Sequence, residues 1–246
     1  MVTISIKKVV QVLALVILCL TLANAFAQLY KLGFLAGLGS AFDINEDRGL
    51  GMFDFGEEKN IPTWYSSATL LLCSILLATI TTVKKQVGDR YTLHWGALSV
   101  IFLFLSADEA AGLHEKAADI MELSLHITPG GFIRYTWVIL YGALLLVFVL
   151  ATWKFLLHLP PKTRGLFVIA GFIFVGGALG MEMITAYRVD LYGVDEATLQ
   201  ATDLVQAVLV SVEELLEMLG VLVFLYALLS YISTHLKDIR ARVNDK

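Results

Sequence analysis

Six runs of apolar residues, at about 9–30, 63–83, 92–113, 133–157, 165–187 and 204–232, dominate this chain. Each is long enough for a helix rising 1.5 Å per residue to cross most or all of a hydrocarbon core of about 30 Å. Inside a bilayer the backbone must satisfy its own N–H and C=O groups, so runs of this kind fold as helices. The expected fold is all-α: a polytopic membrane protein, a bundle of six transmembrane helices forming one integral membrane domain over residues 1–246. The third helix is expected to run on to about residue 123, because no Gly-Pro signal follows until "TPGG" at 128–131, and the sixth to begin near residue 200. Residues 31–62 are expected to form a long outer loop. With 58% hydrophobic and 16% charged residues, a soluble domain is excluded, and no basic patch points to nucleic acid. The first run could read as a signal peptide ending at "ANAFAQ", but it continues apolar to Tyr30 and is taken as a retained helix. Cys19 and Cys73 both lie in apolar runs and are read as small buried hydrophobes rather than a disulfide.

Charge sets the orientation. Lys7, Lys8, Lys84, Lys85, Arg90, Lys154, Lys162, Arg164, Lys237, Arg240, Arg242 and Lys246 are 12 of the 18 basic residues, and all fall on one side of a six-span topology. The positive-inside bias places both termini in the cytoplasm, so a multi-pass protein of a bacterial cytoplasmic (inner) membrane is expected. The acids run the other way: only Asp89, Asp238 and Asp245 of the 22 are cytoplasmic.

Acids within the spans are the features that ask for a function, because ionisable groups in a bilayer by default face a cavity or a partner. In "FLFLSADEAAGLHEKAADIMELSLH", residues 102–126, Asp108 lies about 24 Å along the third helix. Asp108, Glu115, Asp119 and Glu122 are expected to share one helical face, with Glu109 and His114 pointing elsewhere. In the fifth run Gly176 and Gly180 form a GxxxG pair, joined by Gly177, that lets a neighbouring helix approach. Glu182 follows at a depth similar to Asp108. In the sixth run Asp203, Gln206, Glu213, Glu214 and Glu217 fall in one broad stripe. Three helices thus deliver carboxylates to one slab, where an electropositive companion is required.

Three companions are considered. A divalent metal, Fe, Mn or Zn, suits carboxylates with an imidazole, giving Asp108, Glu109, His114, Glu115, Glu182, Glu213, Glu214 and Glu217 as candidate ligands. The Glu-x-x-His pattern of di-iron carboxylate bundles is absent, although "HE" occurs at 114–115 and "EExxE" at 213–217. No haem is expected, because facing histidines at one depth are lacking. No HxxxH pair suggests a hydrolase of the ceramidase-like type, and Met181, Met183 and Met218 are read as core filling rather than copper ligands. Protons are the second companion. Internal ion pairs with Lys116, Arg134 or Arg188 are the third.

The outer loop carries a weaker signal. Asp43, Asn45, Asp47 and Asp54 echo a calcium loop, but glycine falls at the seventh place and Asp stands at the twelfth, so Ca is a secondary candidate. In "IPTWYSS", Thr63 reads as a helix cap after Pro62, and Trp64 and Tyr65 as an interfacial aromatic anchor.

The segments "NIPTWYSS", "LSADEAAGLHE", "GALGMEM" and "EELLEMLG" together resemble an uncharacterised family of bacterial multipass inner-membrane proteins, from about residue 40 onward. That resemblance implies no activity. The residues point to a membrane protein with an outer carboxylate/His cluster that binds a cation, and to a metal-dependent enzyme acting on a lipid-soluble substrate if it is catalytic. The alternatives are a non-catalytic subunit or assembly factor of a larger membrane complex, and a proton or cation conduit, which is disfavoured because the acids stop in the outer half. Expected partners are membrane lipid and other membrane subunits.

Overall fold

The computed structural model describes residues 5–34, 49–125 and 129–236. The helices are α1 (Ile6–Lys31), α2 (Ile61–Gln86), α3 (Thr92–Ala111), α4 (Leu113–Leu125), α5 (Trp137–His158), α6 (Pro161–Val175), α7 (Glu182–Tyr192), α8 (Glu196–Thr202) and α9 (Leu204–Tyr231). A π-helical turn, Gly176–Met181, joins α6 to α7, and another, Ile232–Leu236, extends α9. Among the described residues six helical stretches are long and apolar enough to cross a bilayer: α1, α2, α3, α5, α6 through α7, and α9 with its extension. The chain is a multi-pass membrane protein with an all-α fold, as its six apolar runs require.

α9 is the central helix. It packs against α6, α1 and α2, and half of its apolar window is buried inside the protein. Phe224, Leu225, Leu228 and Tyr231 join Leu77, Ile80, Trp95, Phe155 and Leu159 in one core near the lysine- and arginine-rich end of the bundle. Met218 packs with Ile17, Leu20, Phe55 and Tyr65 in a second. Tyr65 therefore lies inside, its hydroxyl donating to the Leu13 carbonyl at 3.3 Å, while Trp64 alone of the expected aromatic anchor faces outward. Cys73 is buried as expected, but Cys19 is exposed. The residue that caps α2 is Asn60, whose side chain accepts from the Thr63 N–H at 3.1 Å; Pro62 then occupies a first-turn position that needs no donor.

Two glycines set the α6–α9 approach. A Cβ on Gly177 would lie 2.8 Å from the Glu213 carbonyl, and one on Gly220 would lie 2.7 Å from the Phe174 nitrogen. The GxxxG expectation is corrected here: Gly176 and Gly180 have nothing within 4 Å of a built Cβ, and the contact falls on Gly177 and Gly220 instead. The π turn carries one extra residue per turn and rotates the face that the pair of glycines would have shared. α2 and α3 are held by reciprocal serines. Ser67 and Ser106 each donate to the other's carbonyl at 2.8 Å, and Ser74 and Ser99 do so at 2.7 and 2.9 Å. The positions are seven apart on each helix, so one face of small residues brings the two backbones together.

A polar clamp fixes the segment before α2. Asp54, 1% exposed, accepts from Lys31 Nζ at 2.5 Å, Gln28 Nε2 at 2.6 Å, Gln200 Nε2 at 3.0 Å and the Gly56 N–H at 2.8 Å. Its carboxylate is filled by protein donors. Asp43, Asn45 and Asp47, the rest of the calcium-loop expectation, lie outside the described residues.

Two predictions follow from the packing. Gly177→Leu and Gly220→Leu each lower stability by about 1–3 kcal/mol through overpacking, whereas Gly176→Ala and Gly180→Ala stay within about 0.5 kcal/mol of wild type; denaturation in detergent measures both. Asp54→Ala removes the acceptor of two buried amides, Gln28 and Gln200, and leaves the half-buried Lys31 ammonium with Glu57 alone, costing about 1–3 kcal/mol, while Glu57→Ala, at an exposed pair, changes stability little.

Candidate functional site

α3 ends earlier than its apolar pattern suggests. Gly112 adopts φ 55°, in the left-handed region, and its N–H bonds back to the Asp108 carbonyl at 2.8 Å. The single helix expected over 92–123 is therefore two, and the expected common face of Asp108, Glu115, Asp119 and Glu122 is broken. The break folds His114 back onto Asp108. The carboxylate Oδ1 accepts from the His114 N–H at 2.7 Å and lies 3.2 Å from its Nδ1, and Oδ2 accepts from the Tyr141 hydroxyl at 3.0 Å. Asp108 is thus a buried anchor that holds α3, α4 and α5 together. The side chain of Glu115 lies outside the described residues, as do those of Asp119 and Glu122.

Asp108, Glu109, His114, Glu182, Glu213, Glu214 and Glu217 all line one cavity of about 1760 Å³. The Glu182 and Glu213 carboxyls are within hydrogen-bonding reach of each other, and two carboxyls in contact need a proton or another cation between them. Glu109 and Glu214 interact electrostatically with each other and with Glu58. Glu213 is only 8% exposed, because α9 is central and Gly177 sits directly against its carbonyl.

The nearby basic residues are engaged elsewhere. Arg188 donates to Asp203 at 2.9 Å and to Gln206 at 3.2 Å; Arg134 pairs with Asp190 at 3.1 Å; the Lys116 ammonium donates to the Ala111 carbonyl. Asp203 and Gln206, expected in the acidic stripe, serve instead as the α9 cap and the Arg188 partner. Among the described residues no lysine or arginine forms an ion pair with Glu109, Glu182, Glu213, Glu214 or Glu217. Nor does any group of three or more His, Cys, Asp or Glu there stand ready to hold a metal ion.

The structure adds residues that periodicity did not reveal. Tyr141, Trp137 and Tyr135 of α5 and its approach line the same cavity, with Glu58 and Glu196. The Trp137 ring lies 5.0 Å from His114 and 5.4 Å from Tyr141. The Tyr135 hydroxyl donates to Glu196 at 2.5 Å; burial first, and then the Glu196 charge, push this phenol well above its ordinary range, so it remains a neutral donor. Aromatic clustering just before and within the first turns of the fourth apolar run was the available signal.

Below the acids the cavity continues between α3, α5, α6 and α9 over Phe102, Leu105, Phe148, Phe174, Val221 and Phe224, as far as His94 and Phe155. α5 is pinned at both ends, by Tyr141 to Asp108 and by Phe155 to Trp95 with ring centroids 5.0 Å apart. Between the two pins its Leu144, Leu145, Phe148, Ala151 and Thr152 line the cavity.

A family model described as a domain of unknown function (DUF8692) matches residues 12–232. No curated protein and no solved structure matches the chain. With the match spanning nearly all of the described helices, the chain belongs to the DUF8692 family.

Proposed function

We propose that this membrane protein binds a cation in the chamber lined by Asp108, Glu109, Glu182, Glu213, Glu214 and Glu217. The observation that carries the reading is the contact of six carboxyls with one cavity, none of them paired with a lysine or arginine among the described residues and only Asp108 paired with a histidine. Anionic groups gathered in a poorly hydrated interior require compensation, and unpaired charge there is strongly destabilising. A bound cation supplies it, and while none is bound the carboxyls retain protons.

Fe, Mn or Zn would draw on these carboxylates with His114, after side-chain movement that brings three of them to one point. A metal so held would polarise an oxygen or activate a water, and an enzyme of a lipid-soluble substrate is the form of catalysis that this setting favours. The apolar lining below the acids speaks against a conduit, since Phe102, Phe148, Phe174 and Phe224 offer no relay for protons or ions. The subunit or assembly-factor alternative is favoured by the gap beside α5, which a partner helix could fill.

Elemental analysis and thermal denaturation of the purified protein test the reading. A cation at a hundred times its Kd should stabilise the fold by about 2.7 kcal/mol, and Glu182→Ala and Glu213→Ala should each abolish that gain. Stoichiometric metal lost in both variants identifies the cation as a metal. If neither divalent metals nor small organic ammonium ions stabilise the wild type, the chamber is not a cation site.

A further inference from the structure

We propose that the occupant is a membrane amphiphile with a cationic amine head and one long apolar chain, its head in the carboxylate chamber and its chain in the crevice beside α5. This rests on the cation reading above and names the class of cation. The cavity of about 1760 Å³ is well above the roughly 300–1,000 Å³ of ordinary small-molecule pockets. Along α3 it is lined from Leu93 to Glu109, about 24 Å of helix, longer than one leaflet of the hydrocarbon core. Its rim includes Leu144, Val147, Val168 and Phe172, all strongly exposed, so it opens sideways toward lipid rather than only toward water.

The two ends of the crevice select different parts of a ligand. A chain moving from the bilayer into a crevice of Phe, Leu and Val exchanges one apolar setting for another, so the chain contributes fit and little selectivity. Selectivity falls to the head. Carboxylates repel an anionic headgroup and leave a neutral alcohol without charge compensation, whereas an ammonium has three donors and tolerates loose acceptor geometry. The rings of Tyr135, Trp137 and Tyr141 border the same chamber, and aromatic faces beside acids suit an ammonium. A metal ion has the stricter requirement, and among the described residues no ligand trio meets it.

The test is binding of a fluorescent long-chain primary alkylamine to the full chain in nanodiscs of zwitterionic lipid, compared with the alcohol of the same chain and with a short-chain amine. The long amine should bind at least tenfold tighter than the alcohol. Gly171→Trp should weaken the long amine at least tenfold and leave the short amine unchanged. Gly171 lines the crevice and has nothing within 4 Å of a built Cβ, so the indole fills the crevice without disturbing the fold. The Glu214→Gln, Glu217→Gln double variant should weaken both amines. Equal binding of amine and alcohol, or a long amine indifferent to Gly171→Trp, overturns the amphiphile while retained short-amine binding leaves the chamber standing. Failure of both amines and of metal ions removes the chamber as well. A co-purifying membrane subunit that excludes the long amine, seen by native mass spectrometry, assigns the crevice to protein and overturns the proposal.

Discussion

The arrangement depends on charge carried into the centre of the bundle by its most enclosed helix. α9 touches α1, α2 and α6, half of its apolar window is enclosed by the protein, and on that inner side Glu213 is only 8% exposed. Glu213, Glu214 and Glu217 point into that enclosure and meet Glu182 and Glu109 across one cavity. Carboxyls in such a setting hold their protons, are compensated by another cation, or destabilise the fold. The other spans are organised around this constraint. Gly177, in the π turn, gives α9 room, and Asp108, supplied with donors by His114 and Tyr141, fixes the α3–α4 break against α5.

The contrast between the two kinds of buried acid separates structure from candidate function. Asp54 and Asp108 are buried and fully served by donors: an ammonium, amides and backbone N–H groups for one, a histidine and a tyrosine for the other. Both act as joints. Among the described residues the glutamates of α7 and α9 form no ion pair with a lysine or arginine. That difference, more than the number of acids, is why the chamber rather than the Asp54 clamp is the candidate ligand site. The pinning of α5 at its two ends fits the same division, since it leaves an apolar crevice directly beneath the unserved group.

Much of this was legible in the sequence, because apolar length and acid depth are one-dimensional properties. The six spans and the shared level of Asp108, Glu182 and Glu213 follow from counting residues at 1.5 Å each. Azimuth does not, and the departures occur where local backbone geometry changes it. Gly112 in the left-handed region ends α3 and turns His114 back onto Asp108; the glycine was visible in "AAGLH", but its neighbours are strong helix formers. The π turn at Gly176–Met181 shifts the close contact from a GxxxG pair to Gly177. Tyr135, Trp137 and Tyr141 were hidden in an apolar run because aromatic residues at a span's end look the same whether they anchor to headgroups or line a chamber.

The most direct measurement is disulfide cross-linking in native membranes, in a background lacking Cys19 and Cys73. Glu182→Cys paired with Glu213→Cys, and Glu109→Cys paired with Glu214→Cys, should both cross-link rapidly under mild oxidation. Ile184→Cys paired with Val212→Cys, two exposed positions on the same pair of spans, should not. Cross-linking confined to the control pair, or absent from both glutamate pairs, would mean that these side chains do not meet and that no common chamber exists.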